Sequence, residues 1–310
     1  MAKGTRVAYV SGEFVPEREA TVSVYDTGIV YGQMVFEFSR TFGMKPFRMD
    51  HHLRRLYASM KYAGIDSGMT IEEMDAATNE TLARNAHLLD DRDDYGIWHN
   101  VSNGPNYFHA DAVRGGAGPS VVISVWPISR TKLEQWKYYD TGINAVITAQ
   151  RSVPARLIDP KVKNRSRMHY RMADLQAAKV QENAWALLTD EDGFITEGTG
   201  ANFMIVRDGE LVSPEPRNTL RGITRGAIIE LADAQGIPFR ETNIDAYDVY
   251  NAEEAFYCST SYVIMPVATV DGHEMGDSIP GPVTRRLIDA FADEAGIDFV
   301  AQGKALQKIT

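Results

Sequence analysis

Hydrophobic residues change their spacing along this chain, and the changes mark its elements before any chemistry is considered. Val7-Ala8-Tyr9-Val10, a Ser11-Gly12 pair and Glu13-Phe14-Val15 read as a hairpin. Val35 to Arg40 alternates as a strand, behind a bend marked by Gly28 and Gly32. The period then becomes helical. Leu53, Leu56, Tyr57 and Met60 share a face between Asp50, read as the cap, and Gly64. Thr70-Ile71-Glu72-Glu73 is a capping box opening a second helix, with Met74, Ala77, Leu82 and Ala86 turned inward. Strands follow at 95–101 and 121–126, on either side of a glycine-rich loop.

The same signals recur in the second half. A strand at 143–149 leads to a helix-like run at 168–178 and an apolar strand at 185–188. A turn at Asp192-Gly193 follows, with a strand ending at Glu197. Asp208-Gly209 sits between two apolar runs as a hairpin turn. A helix carrying Ile228, Ile229 and Leu231 stops near Gly236, a strand covers 255–259, and a last helix spans 283–295. This predicts a mixed α/β (α+β) chain. Its expected parts are an N-terminal α/β domain over 1–126, a connection over 127–142 and a C-terminal α/β domain over 143–310 that carries Lys163.

Composition narrows the function. With 310 residues and 44% hydrophobic content, a sizeable core is available. A net charge of −10 argues against nucleic acid as a partner, and no apolar run approaches the roughly 20 residues that span a bilayer. The single cysteine, Cys258, has no internal partner, which suits a cytoplasmic setting. His51 and His52 lack the companions of a metal site and read as polar residues at a helix start; no metal is expected.

Two residues 34 positions apart carry the candidate chemistry, Lys163 and Glu197. A lysine able to lose its proton and a carboxylate able to pair with a protonated ring nitrogen are what pyridoxal-phosphate chemistry requires. Gly222-Ile223-Thr224 at a helix start suits an anion, because N–H groups, dipole and hydroxyl converge there; a plain N-cap is the alternative reading.

Four segments give these residues a family likeness: Ser23 to Glu37, Val162-Lys163-Asn164, Thr196 to Phe203, and Leu220 to Arg225. Together they resemble the class IV (fold type IV) aminotransferases, a family that includes branched-chain and D-amino-acid transaminases and aminodeoxychorismate lyase. The resemblance implies two domains with pyridoxal 5'-phosphate between them and a homodimer. It implies that Lys163 is catalytic and that Glu197, Arg55, Gly200, Asn202, Leu220, Gly222, Ile223, Thr224 and Thr260 bind the cofactor. Tyr31, Phe36, Trp98 and Ser261 are implied to face substrate. Trp98 stands where branched-chain members carry a carboxylate-directed arginine, and Arg114 and Arg130 are candidate replacements. Met168 stands where a tyrosine is usual, with Tyr170 or Arg167 as substitutes. The expected activity is transfer of an amino group between a branched-chain-like amino acid, or an amine, and a 2-oxo acid. The alternatives are a C–N lyase on the same cofactor and a non-catalytic binder of a phosphorylated ligand.

Overall fold

Strand pairing divides the chain into two units in a computed structural model that describes residues 4–88, 93–112, 118–129 and 135–307. The first unit holds Met1–Thr131 together with Val162–Ser166; the second holds Lys132–Lys161 and Arg167–Thr310. The first contains an antiparallel sheet of β1 (Val7–Val10), β2 (Glu13–Pro16), β3 (Met34–Phe42), β4 (Lys45–Pro46), β5 (Tyr95–Ser102) and β6 (Ser120–Pro127). Its order is β2-β1-β6-β5-β3-β4.

β3 is buried almost throughout, on both faces, despite the charge at Glu37. Helix Met49–Ala63 packs on it, and Leu53, Leu56 and Met60 enter a core with Val35, Tyr95, Ile97 and Val101. Asp50 does not cap this helix. The helix begins at Met49 behind Arg48, so Asp50 sits in the first turn and pairs with Arg54 at 3.1 Å. Gly64 closes it at φ 64°, a left-handed conformation in which glycine carries no Cβ penalty. Helix Ile71–Asn85 has the expected capping box: Thr70 accepts from Glu73 N–H, and the Glu73 carboxylate accepts from Thr70 N–H.

In the second unit the strands are β7 (Ile143–Arg151), β8 (Trp185–Thr189), β9 (Ile195–Gly198), β10 (Asn202–Arg207), β11 (Glu210–Pro214), β12 (Phe239–Thr242), β13 (Glu254–Ser259), β14 (Val263–Val270) and β15 (His273–Glu274). The path runs β12-β11-β10-β13-β14-β7-β8-β9, and β9 also pairs with β10. That pairing closes a circuit of six strands, and its register sets Glu197 opposite Asn202. Helix Met168–Val180 covers β7 and β8 through Ala173 and Ala177, against Val146, Ala186 and Leu188.

The structure differs from the expected domains in two places. Residues 162–166 group with the first unit, because β3 captures their backbone: Phe36 N–H donates to the Lys163 carbonyl and Arg165 N–H to the Met34 carbonyl. The stretch read as a connection also contributes to the second unit's core, since Trp136 and Tyr139 are 2% and 1% exposed. Their bulk is apolar, and burial outweighs the polar residues around them. Among the described residues no helix is long and apolar enough to cross a membrane.

His99 on β5 is fully buried, and its Nε2–H donates to Thr78 Oγ1 at 2.8 Å, while that hydroxyl donates to the Met74 carbonyl. Nδ1 has no partner. Burial pushes the imidazole down from 6.5 to about 4. Above pH 6.5 folded and unfolded states are both neutral. Between pH 6.5 and 4 the unfolded chain takes a proton that the folded chain refuses, so stability falls with pH. The loss attributable to this group is about 3 kcal/mol. Denaturant titrations of the wild type and His99→Gln at pH 6.5 and pH 4 should show the wild type losing that much more than the variant.

Candidate active site

In the first unit, Lys163 is fixed by its backbone. Its carbonyl accepts from Phe36 N–H at 2.9 Å, its N–H donates to Ser59 Oγ at 3.2 Å, and Asn164 bridges Val35 as one antiparallel step. The segment behaves as a one-bridge extension of β3, so its backbone donors and acceptors are spent on positioning the lysine. Lys163 Nζ lies 4.8 Å from the centroid of the Phe36 ring, a cation over an aromatic face. Phe36 in turn stacks on Trp98 at 5.9 Å. Lys163 and Trp98 thus both contact the Phe36 ring.

Arg55 has a strong local partner. Its Nε donates to Glu37 Oε2 at 2.8 Å and its Nη2 to Glu37 Oε1 at 2.6 Å, a bidentate pair. His52 Nδ1 lies 3.0 Å from Oε1. Burial alone would raise the Glu37 carboxyl, but Arg55 and His52 overcome it and hold the acid well below the usual carboxylate range. Burial lowers the His52 imidazole, and the Arg55 and Lys163 charges lower it further against the opposing pull of Glu37. The ring is therefore neutral, and its Nδ1–H donates a hydrogen bond to the carboxylate. Tyr31 is 64% exposed, and its Oη accepts from Asn106 Nδ2 at 2.5 Å. Arg114 and Arg130 lie outside the described residues.

In the second unit, Glu197 is sealed at the β9–β10 closure with 6% exposure. Oε1 accepts from Tyr170 Oη at 2.9 Å; Oε2 accepts from Asn202 Nδ2 at 3.1 Å and from Leu220 N–H at 3.0 Å. Three donors converging on one carboxylate are the environment of an ionised acid. Burial first, and then the Glu197 charge, raise the Tyr170 phenol well above its ordinary value, so it stays a donor. Of the two candidate substitutes for the usual tyrosine, Tyr170 is thus committed to the acid, and Arg167 Nη2 donates to the Thr199 carbonyl. Met168 is 75% exposed.

Asn202 also donates to the Leu220 carbonyl at 2.8 Å, which ties β10 to the loop before helix Ile223–Ala234. Gly222 is that helix's N-cap and makes no side-chain cap. A Cβ on Gly222 would meet Asn202 Oδ1 at 2.1 Å, so only glycine lets the helix start come so close to the amide. Thr224 is buried in the first turn. Ser261 is buried with its Oγ 3.0 Å from Ser259 Oγ, Thr260 between them is half-buried, and Gly200 lies in the turn from β9 to β10. These residues fit pyridoxal phosphate: an ionised acid suits a protonated ring nitrogen, and an uncapped helix start beside a threonine suits a phosphate.

Sequence reasoning missed Arg165, whose guanidinium lies over both Phe36 and Trp98. It also missed Glu37–His52. The signal was present, since Glu37 interrupts an apolar strand and an acid there needs a buried cation.

Comparison with known proteins identifies the family. The model of the amino-transferase class IV family matches residues 34–270. A Methanocaldococcus jannaschii protein, provisionally named a branched-chain-amino-acid aminotransferase, is 35% identical over 92% of this chain and 95% of its own length. The D-alanine aminotransferase of Staphylococcus haemolyticus is 29% identical over 91% of this chain and 95% of its own. The branched-chain amino acid aminotransferase of Thermobaculum terrenum, solved in its pyridoxal-phosphate form, superposes with a TM-score of 0.82 at 28% identity over 96% of both chains. The chain belongs to the class IV aminotransferases and is a pyridoxal-phosphate-dependent enzyme that transfers amino groups.

Proposed function

We propose that the enzyme moves an amino group from a branched-chain-like amino acid, or an amine, to a 2-oxo acid, with Lys163 as the catalytic group. The observation that carries this reading is the Glu197 carboxylate, buried and fixed by three donors. Pyridoxal phosphate, when bound, supplies an aldehyde and an electron-accepting ring. Glu197 holds the proton on the ring nitrogen. The helix start at Gly222, Ile223 and Thr224, with Thr260 and Arg55, would hold the phosphate, and Gly200, Asn202 and Leu220 would shape the floor. Lys163 Nζ takes the proton from the donor's Cα and delivers it again, which its fixed backbone favours by keeping the amine in one place. Phe36, Trp98, Tyr31 and Ser261 line the substrate side.

A donor that is a branched-chain amino acid is supported by the names of the relatives, and a D-amino acid by the Staphylococcus relative. We infer a cytoplasmic homodimer as well. Val24, Ile29, Val30 and Tyr31 are all exposed along one short segment, an apolar surface that a second copy would cover.

Adding L-leucine, D-alanine and an aryl-alkyl amine separately to the holoenzyme should bleach the visible cofactor band with one of the three. No bleaching by any of them would overturn the donor reading. Lys163→Ala should lower turnover by about a thousandfold or more and alter the absorbance of the bound cofactor; an unchanged spectrum sinks the assignment. Gly222→Ala should weaken cofactor binding about tenfold, as Asn202 is forced aside, measured by titrating apoenzyme and following absorbance.

A further inference from the structure

Tyr31 ends the short helix Thr27–Val30, and its N–H donates to the Thr27 carbonyl at 3.0 Å. A second segment of the first unit lies against it. Thr27 N–H donates to the Gly104 carbonyl at 2.9 Å, and Asn106 N–H donates to the Tyr25 carbonyl at 2.9 Å. The Tyr25 and His109 rings stack at 4.3 Å. Backbone bonds and this stack therefore seat Asn106 beside Tyr31 without help from the Asn106 side chain. Asn106 is buried and Tyr31 is exposed, so of the two it is Tyr31 that a ligand can reach.

Asn106 engages both ends of its amide. Oδ1 accepts from Phe108 N–H at 3.2 Å, and Nδ2 donates to Tyr31 Oη at 2.5 Å. The first bond settles the second. A backbone N–H can only donate, so the amide oxygen must face Phe108 and the NH2 group must face Tyr31. An amide NH2 accepts nothing, and Tyr31 Oη is therefore the acceptor of this pair. The phenol's own proton points elsewhere, and Oη makes no second hydrogen bond among the described residues.

We propose that Asn106 is a positioning residue: it holds the Tyr31 phenol by its oxygen and so commits the proton to an oxygen acceptor on the substrate. This rests on the reading that Tyr31 lines the substrate side and that a 2-oxo acid binds there. A tyrosine hydroxyl in water donates and accepts equally well. Held in this way it is a donor, and it favours a carboxylate or carbonyl oxygen over an ammonium or alkyl group at the same place.

The test is binding of 4-methyl-2-oxopentanoate, the oxo acid with the leucine carbon skeleton, to the holoenzyme by calorimetry, without any amino donor. Asn106→Asp is the telling variant. It keeps the shape and the acceptor for Phe108 N–H, but sets a carboxylate oxygen against Tyr31 Oη and draws the phenol's proton inward. Asn106→Asp and Tyr31→Phe should each weaken binding about tenfold, since each removes one hydrogen bond to an anion. Asn106→Ala should lose less, because the proton stays available. With Tyr31→Phe already in place, adding Asn106→Asp should change affinity by less than about twofold. A full tenfold loss in that background overturns the proposal alone, since the new charge or a structural fault then acts without the phenol. So does wild-type affinity in Asn106→Asp, or an alanine variant weaker than the aspartate one. Wild-type affinity in Tyr31→Phe, or a wild type that binds no acid, overturns the substrate reading of Tyr31 and the proposal with it.

Discussion

Two backbone hydrogen bonds set the surroundings of Lys163 in the first unit: Phe36 N–H to the Lys163 carbonyl, and Arg165 N–H to the Met34 carbonyl. They join a segment distant in sequence to β3, and almost everything notable near the lysine follows from that join. The Lys163 amine reaches the Phe36 ring because β3 presents Phe36 beside it. Arg165 meets Phe36, Trp98 and Asn100 because β3 and β5 pair in a register that sets Phe36 opposite Asn100 and Phe38 opposite Trp98. A one-residue slip would turn these side chains to the other face. The same bonds explain why residues 162–166 belong to the first unit while the residues on both sides belong to the second.

The second constraint is electrostatic. Glu37 is fully buried in β3, and an ionised acid there is tolerable only with Arg55 and His52 bonded to it. Breaking such a pair strands a charge, typically at a cost of about 3–5 kcal/mol. The pair also fixes Arg55 rigidly. In the second unit the logic repeats with neutral donors: Tyr170, Asn202 and the Leu220 amide hold Glu197. Glu37 is thus held by one guanidinium and a neutral imidazole, and Glu197 accepts from a phenol and two amides.

Much of this was legible in the residues, and the parts that were not share a cause. Periodicity gave the helix at 71–85 with its capping box, because local signals decide caps. The motifs around Lys163 and Glu197 carried the family resemblance, and the family match bears out the enzyme class and the cofactor. Asp50 misled because a polar residue near a helix start looks the same in the first turn as at the cap. Trp136 and Tyr139 looked like a linker because their neighbours are polar, yet their burial is a tertiary fact. Arg165 and Asn100 were invisible for the same reason: they lie 65 positions apart and meet only through strand pairing. No spacing rule reports a contact of that kind.

The charge balance shows why such placement matters. The whole chain carries −10, which opposes the approach of small anions such as 2-oxo acids. Around the Phe36 ring the sign reverses, with Lys163 and Arg165 both over it and Arg55 on the neighbouring helix. His52, which would add another charge, is kept neutral by burial and by the Arg55 and Lys163 charges acting on it. Glu37 neutralises Arg55 locally and so limits the mutual repulsion of these cations. A small positive centre is built around Lys163, in a chain whose net charge is negative. The aromatic rings beside it lower the local dielectric, so that centre counts for more than the same charges would in water.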